Sequence, residues 1–366
     1  MINTLIMKKI LIFIFVLCLA TVPASAQKSI LFLLPLDADR AAQTDIENIN
    51  SQQDIDNIFG KTLIHFWEGA QIAISELGDE GNDFHVIVRD VTDAIKLEQV
   101  LADMQKVDLI IAPLYGKLFP IVAEFGHKHK IPVVNPFSSR HDIIEKNPYV
   151  YKANPSFEAR AAYLCNHHPD ANFILWTSDT HATHDAEAYQ TYFHEHNITY
   201  QSVPDSTFFG DHLSRTKDNV VIACFNNAQL FSKGISKTLQ TNKLPHFTWI
   251  IPEEWLLMDE FNIDNMNGMD VNYFASYFAD DAEERTQVFN YKYGERFQCL
   301  PSVRNYAYQG YDIAKFFISM ILQDYHTPDF DPIAYKFQFK RVDKGGFENI
   351  KVRFIHLQDY EFKEVK

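Results

Sequence analysis

Imidazole groups are the most concentrated candidates for chemistry in this sequence. The chain carries 15 histidines, and six of them fall within one short stretch: His167, His168, His181, His184, His194 and His196. Imidazole nitrogens bind zinc, so a metal-binding protein is one hypothesis. However, His194 and His196 point to different faces of a predicted helix, and neither an H-E-x-x-H nor a C-x-x-C pattern occurs. We therefore expect no metal site.

Sequence motifs for the common catalytic mechanisms do not occur in the chain. There is no G-x-S-x-G nucleophile elbow, no G-x-x-x-x-G-K-[ST] phosphate loop and no G-x-G-x-x-G dinucleotide fingerprint. Acidic residues are plentiful, but paired carboxylates cannot be identified from sequence alone. We therefore expect no catalytic activity and no cofactor.

Hydrophobic periodicity predicts the elements that would position a binding site. Apolar runs of strand length alternate with amphipathic helical segments. The first unit has predicted strands at 28–36, 84–89, 107–111 and 131–135, and predicted helices at 62–78, 94–106 and 117–130. The second has helices at 156–168, 185–197 and 228–242, and strands at 172–177, 219–225 and 247–251. Such alternation is typical of parallel, doubly wound sheets, so we predict an α/β protein with two similar units in series.

Ligands of doubly wound sheets bind outside the carboxyl ends of the strands. The segments that follow the predicted strands are therefore the places to look for binding residues: 112–119, 135–140, 177–184, 226–229 and 252–255. The tail of the chain differs from both units, with predicted helices at 282–293 and 306–322 and a closing hairpin at 351–365. This tail is expected to return to both lobes.

The amino terminus indicates export. Lys8 and Lys9 precede an apolar run at 10–20, and Ala24-Ser25-Ala26 forms an A-x-A cleavage pattern, which together predict a signal peptide cleaved near Ala26. The apolar run is about half of the ~20 residues that a membrane-spanning helix needs. We therefore expect a periplasmic or otherwise exported protein that does not span a membrane once processed.

Size and charge narrow the class further. A chain of 366 residues exceeds the usual size of one hydrophobic core and favours two domains. Its formal net charge of −15 argues against nucleic acid as a partner. Beyond the predicted leader lie Cys165, Cys224 and Cys299, an odd number at wide spacings from which no disulfide framework can be inferred.

Several sequence blocks resemble a known family. Residues 66–73 (FWEGAQIA), 107–114 (VDLIIAPL) and 131–136 (IPVVNP) resemble the first lobe of type I periplasmic binding proteins, most closely the leucine/isoleucine/valine-binding branch. Residues 289–293, 306–318 and 345–347 resemble the late helices and closing segment of the same family. The order of these blocks along nearly the whole chain, rather than any single motif, supports the resemblance.

The resemblance implies two Rossmann-like lobes joined by three crossovers and a hinge that closes on ligand. The lobes would be discontinuous: 27–140 with 275–325 in lobe 1, and 141–274 with 326–366 in lobe 2. It implies capture of a small polar ligand, an amino acid or a similar molecule, for ABC-type uptake. The expected partners are that ligand and a membrane permease or envelope protein.

The resemblance also implies a set of binding residues. In amino-acid-binding relatives, the loop after β-strand 107–111 offers a hydroxyl and backbone N–H groups to the ligand carboxylate; here Gly116 stands where the serine is expected. Ser139 can supply a hydroxyl from the next loop, and Glu253 or Glu254 is the candidate acid for the ligand ammonium. The expected ligand contacts are Tyr115, Gly116, Phe137, Ser138, Ser139, Asn226 and Glu253.

Structural roles compete with these assignments. Tyr115 and Phe137 could pack beneath the cleft, and Ser139 could cap a helix that begins near His141. Glu253 and Glu254 could be solvated acids at a helix start. Trp255 could stack on a ligand or fill a gap between the lobes.

Functional alternatives also remain open. A protein of this fold could serve as a partner-binding module, a regulator of a cell-wall synthase or a component of a sensor. The polar segment 38–61 is longer than the ~2 to 6 residues typical after such a strand. It could overhang the mouth of the cleft or form a flexible surface loop, and its composition favours the latter.

Overall fold

The structure is a computed structural model that describes residues 27–43, 63–178, 185–241, 243–258, 261–301 and 306–365. The predicted signal peptide, most of segment 38–61, and His181 and His184 lie outside these residues. Of that segment, only a helix α1 (Ala38–Gln43) is described.

The first lobe is built on a seven-stranded sheet. Its strands are β1 (Lys28–Leu34), β2 (Phe84–Asp90), β3 (Leu109–Ile111), β4 (Val133–Asn135), β5 (Val150–Lys152), β11 (Phe339–Arg341) and β12 (Phe347–Asn349). They run in the order β11-β12-β5-β4-β3-β1-β2. All neighbours pair in parallel except β11 and β12, which form an antiparallel pair.

Helices cover both faces of this sheet. They are α2 (Ile64–Asp79), α3 (Ala94–Ala102), α4 (Leu118–His129), α9 (Glu284–Phe297) and α10 (Ala307–Leu322). The apolar side of α2 and the largely buried α10 pack over one face, in a core with Phe32 and Leu34. The other face of β1 packs with α3 and α4. Both faces of the strands are therefore buried, which explains their continuous apolar runs.

The second lobe contains another seven-stranded sheet, in the order β14-β13-β10-β9-β8-β6-β7. Its strands are β6 (Asn172–Thr177), β7 (Tyr200–Pro204), β8 (Asn219–Cys224), β9 (Thr248–Ile250), β10 (Asp270–Ala275), β13 (Arg353–Gln358) and β14 (Glu361–Glu364). Its helices are α5 (Phe157–His167), α6 (Asp185–Glu195), α7 (Ala228–Gln240) and α8 (Ile263–Met266). The closing hairpin β13–β14 pairs antiparallel onto β10. The predicted α/β class with two similar units is confirmed.

The sheets divide the chain differently from the predicted lobe boundaries. Strand β5 pairs with β4, so the first sheet continues past the boundary expected at residue 140. The β11–β12 hairpin joins the same sheet through β5, although 326–366 was assigned to lobe 2. The chain therefore passes between the sheets at 153–156, 276–283 and 350–352. Strands β5, β11 and β12 read VYK, FKR and FEN, so no continuous apolar run marks them in the sequence. The pairing of β12 with β5 also joins segments that are remote in the chain.

Two further observations concern the length and polarity of the helices and the state of the cysteines. Within the described parts of the chain, every helix is too short or too polar to cross a membrane. Cys165, Cys224 and Cys299 are all free thiols.

Candidate functional site

A cleft between the two sheets lies at the carboxyl ends of their strands. It has two adjoining chambers, which we call the polar chamber, of about 970 Å³, and the aromatic chamber, of about 610 Å³. Phe137, Asn154, Glu253, Glu254 and Ser276 line both, so the chambers are continuous. Another depression of about 800 Å³ lies by Lys106 and Lys130, at the opposite edge of the first sheet. The carboxyl-end position favours the cleft as the ligand site.

The polar chamber is lined by both lobes. The first lobe contributes Ser139 and Arg140, and the second contributes Arg160 and several acids. Arg140 forms an ion pair with Asp142. The guanidinium of Arg160 instead lies over the Phe157 ring, 4.9 Å from its centroid, and makes no ion pair with any residue that the structure describes. Arg160 is therefore a cation available to an anionic ligand group.

The aromatic chamber has walls of aromatic rings from both lobes and from the 276–283 connection. The rings belong to Tyr115, Phe137, Tyr273, Tyr277, Phe278, Tyr306, Tyr335 and Phe362. Tyr115 stacks on Phe137 with centroids 5.5 Å apart, and Phe137 lies 4.9 Å from Tyr306. The charged side chains among its described lining residues are Glu253 and Glu254 alone. The chamber thus combines π faces with negative charge.

Asn135 at the end of β4 holds two cleft loops together. Its buried side-chain oxygen accepts the backbone N–H groups of Phe137 at 3.0 Å and Ser138 at 2.8 Å. Its side-chain nitrogen donates to the Leu114 carbonyl at 3.2 Å. One amide therefore sets the position of the loop that carries Tyr115 relative to the loop that carries Phe137.

Some of the residues predicted for the site come together in the cleft. Tyr115 and Phe137 line the aromatic chamber, Ser139 lines the polar chamber and Glu253 lines both. Ser139 does not cap a helix, because the 3₁₀ turn His141–Ile143 begins after Arg140 and has no side-chain cap. That alternative was wrong.

Other predicted residues lie outside the linings of the two chambers. The Ser138 hydroxyl accepts the backbone N–H of Arg140 at 3.2 Å, which is a turn-forming contact. Gly116 has a positive φ of 55°, which residues with a Cβ atom rarely adopt, so the shape of the loop accounts for the glycine. Asn226 is exposed and follows β8.

Glu253 and Trp255 belong to one short 3₁₀ turn, Glu253–Leu257, but take different roles. The Glu253 carboxylate accepts the backbone N–H of Ser276 at 3.0 Å, and burial raises its pKa even though this bond and Arg160 oppose the change. Trp255 is fully buried and donates its indole N–H to the Phe225 carbonyl at 3.0 Å. Trp255 therefore packs in the core of the second lobe, contrary to both roles considered for it.

Most of the lining residues, Arg160 among them, were not predicted from the sequence, and two of these are buried polar side chains. Asn154 and Gln309 are almost fully buried, and each has a side-chain oxygen without a hydrogen-bond partner among the described residues. Gln309 stands on α10 among apolar neighbours, and a polar residue at a core position is a signal that could have identified it. Asn154 lies in the connection after β5, a strand that was itself not recognised.

The histidine cluster does not form a metal centre in the part of the chain that is described. The ring nitrogens of His167 and His196 bond to the backbone carbonyls of Tyr163 and Tyr192, one helical turn earlier. Over the described ranges, no group of three or more His, Cys, Asp or Glu side chains could hold a metal ion.

No protein-family model matches the sequence, and no curated protein matches it significantly. Solved structures do match. A branched-chain amino acid ABC transporter periplasmic ligand-binding protein of Burkholderia xenovorans aligns with a TM-score of 0.59 at 14% identity, over 93% of this chain and 95% of its own.

Two other solved structures align over 93% of this chain and 100% of their own. An ABC transporter substrate-binding protein of Desulfitobacterium hafniense, in complex with Leu, has a TM-score of 0.55 at 16% identity. The C-domain of LpoA from Haemophilus influenzae, a regulator of PBP1A, has a TM-score of 0.57 at 13% identity. The fold is the two-lobed architecture that these proteins share.

Proposed function

We propose that this chain is an exported solute-binding protein that captures a small, amino-acid-like ligand between its lobes and catalyses nothing. The observation that carries the proposal is the cleft, to which each lobe contributes a different polar side chain. Ser139 comes from the first lobe and Glu253 from the second. A ligand that contacts both groups would favour the closed arrangement of the lobes, which is the basis of hinge closure.

The groups around the cleft suit the two ends of a zwitterion. The Ser139 hydroxyl and the Arg160 guanidinium are donors for a carboxylate in the polar chamber. Glu253 is the counter-charge for an ammonium at the junction with the aromatic chamber. Because Gly116 has no side-chain donor, Ser139 and Arg160 would replace the hydroxyl expected in that loop.

The biological setting is part of the proposal. The predicted signal peptide supports export, and the fold shared with ABC transporter binding proteins supports delivery of the ligand to a membrane permease. The fold shared with the LpoA C-domain supports a second candidate, in which the chain is a partner-binding module with a regulatory role. A cleft that binds a small ligand would favour the solute-binding candidate, whereas a cleft that binds none would favour the partner-binding candidate.

A thermal-shift screen of the purified protein tests solute capture. Amino acids, short peptides, sugars, nucleosides and divalent metals would be compared. An amino acid at 100 times its Kd is expected to add about 2.7 kcal/mol to the free energy of unfolding, because it binds only the folded state. Ser139→Ala and Glu253→Gln should each reduce this gain, since each removes a contact to one end of the ligand.

Matched controls are available on the outer helices of the first lobe. Ser75 on α2 and Glu98 on α3 are exposed and lie away from both chambers. Ser75→Ala and Glu98→Gln should therefore leave the ligand-induced shift unchanged. A flat response of the wild-type protein to every compound would refute solute capture and favour the partner-binding candidate.

A further inference from the structure

Two buried side-chain oxygens in the lining of the aromatic chamber lack a hydrogen-bond donor among the described residues. The side-chain nitrogen of Asn154 donates to the Phe137 carbonyl at 3.0 Å, while its oxygen has no partner among the described residues. The side-chain nitrogen of Gln309 lies 3.5 Å from the Tyr335 hydroxyl, and its oxygen is likewise unpartnered within that part of the chain. Both side chains are at least nine-tenths buried.

The Tyr335 hydroxyl beside Gln309 already has an acceptor for its proton. The Tyr335 hydroxyl donates to the Pro136 carbonyl at 3.0 Å, so it cannot also donate to the Gln309 oxygen. Buried acceptors without a donor are unfavourable, and nearly all buried polar atoms in folded proteins have a partner. The chamber therefore suits a ligand that brings N–H or O–H donors.

Charge favours a cationic donor. The chamber is lined by Glu253 and Glu254, and its described lining contains no lysine, arginine or histidine. Two cations lie near it: Arg160 lines the adjoining polar chamber and acts on the Glu253 carboxylate, while Arg353 lies over the Phe278 ring and is paired with Glu364 at 2.8 Å. Aromatic ring faces attract positive charge, so an aromatic lining beside two carboxylates suits a cation better than an anion.

The shape of the chamber favours a flat apolar body on the ligand. The stacked rings of Tyr115 and Phe137 form one wall, and a chamber of about 610 Å³ lies within the range of small-molecule sites. Aromatic rings pack favourably on such walls by stacking or by edge-to-face contact.

We infer that the aromatic chamber binds the protonated amine of an aromatic ligand, with Asn154 and Gln309 as acceptors of its N–H groups and Glu253 as its counter-charge. This inference rests on the proposed function and narrows its ligand class from amino acids in general to aromatic amines, aromatic amino acids included. A primary ammonium is favoured over a quaternary one, because a quaternary nitrogen has no N–H group to satisfy the two amide oxygens.

Titration calorimetry with a matched set of phenyl compounds tests the inference. The probes are phenethylamine, phenylalanine, trimethyl(phenethyl)ammonium and 3-phenylpropanoate, with leucine as an aliphatic amino acid. Phenethylamine and phenylalanine should bind, the quaternary analogue should bind at least roughly tenfold more weakly than phenethylamine, and the carboxylate without an amine should not bind. Binding of 3-phenylpropanoate as tightly as phenethylamine would overturn the inference.

A substitution of Gln309 distinguishes its role as a hydrogen-bond acceptor from its contribution to packing. Gln309→Leu keeps a side chain of similar size and should weaken phenethylamine binding roughly tenfold or more, since a bond to a charged donor is lost. It should leave the affinity of the quaternary analogue nearly unchanged. Gln99→Leu, at an exposed position on α3, is the matched control and should alter neither affinity. An unchanged Kd of a folded Gln309→Leu protein for phenethylamine would contradict the role of Gln309.

The outcomes also separate this inference from the proposed function. Leucine binding without phenethylamine binding would refute the aromatic-amine class and leave solute capture standing. Binding of phenethylamine and phenylalanine but not leucine would support both. A failure of every amino acid and amine to bind would refute solute capture itself.

Discussion

Replacing Gly310 by alanine is expected to lower the free energy of unfolding by about 3 kcal/mol, at the upper end of the usual effect of overpacking a core. Helices α2 and α10 approach so closely that a Cβ atom on Gly310 would overlap the carbonyl oxygen of Phe66 and lie 2.7 Å from its carbonyl carbon. On the facing helix, a Cβ on Gly69 would overlap the carbonyl oxygen of Ala307. Backbone atoms cannot move aside as a flexible side chain can, so the helices would have to separate.

Urea denaturation of Gly310→Ala, with Gly78→Ala as the control, measures this effect. Gly78 lies on the facing helix α2, but a Cβ there would meet nothing within 4 Å. Gly78→Ala should therefore be neutral or stabilise the protein by up to about 1 kcal/mol, because alanine has the higher helix propensity. Equal transition midpoints for Gly310→Ala and the wild type would show that the helices do not touch as described.

Replacing Glu348 by glutamine is expected to lower the free energy of unfolding by about 3 kcal/mol, because it leaves a buried lysine without its counter-charge. The Lys152 ammonium is fully buried and lies 3.1 Å from the Glu348 carboxylate. That carboxylate also accepts the backbone N–H of Ser156 at 3.0 Å and lies 3.3 Å from His141. These contacts join β5, β12 and the 153–156 connection next to His141, which lines the polar chamber.

The pH dependence of this effect follows from the pKa of Glu348. Burial alone would raise that pKa, but the contact with His141 and the charge of Lys152 hold it at about 2. An unfolded glutamate titrates near pH 4.3, so the folded state binds the proton less tightly than the unfolded state. The stabilisation is therefore complete above about pH 5 and is lost as the pH falls toward 2.

Thermal unfolding of the wild type and Glu348→Gln between pH 7 and pH 2 checks both the predicted loss of stability and its dependence on pH. The difference in stability should be largest near neutral pH and shrink steadily below about pH 5. Glu361→Gln is the control, because Glu361 pairs with Lys363 at an exposed position and such pairs contribute about 0 to 1 kcal/mol. A constant difference between wild type and Glu348→Gln across the pH range would contradict the proposed ion pair.

Local sequence was sufficient to predict most of the regular structure. Strand β6 was predicted with the bounds that the structure has, because its apolar run is flanked by clear changes in pattern. Helices such as α4 and α10 were predicted to within one residue at each end. Strand β10 was not recognised, and neither was the edge strand β7, which carries Gln201, Ser202 and Pro204 and lacks a continuous apolar run.

The cleft was only partly predictable. The rule that ligands bind at the carboxyl ends of strands directed attention to the loops of Tyr115, Phe137, Ser139 and Glu253, which the structure places in the lining of the chambers. The same rule could not distinguish these residues from Asn226, which follows a strand but lies outside both linings. The sequence shows which residues follow a strand, but whether their side chains face the cleft depends on the path of the loop in the folded protein.

The sequence by itself determined the class of the fold. Its apolar strands must be buried on both faces of a sheet, and the amphipathic helices between them supply the apolar surfaces that cover those faces. Only the tertiary structure decided how the chain divides between the lobes and which polar groups meet in the cleft. Lys152 and Glu348 are far apart in the chain, as are Asn154 and Gln309, and nothing in their local sequence encodes that they come together. A buried polar or charged group is stable only with a hydrogen-bond or ion-pair partner. In these cases the partner comes from a segment that is distant in the sequence, so only the packed structure brings the two groups together.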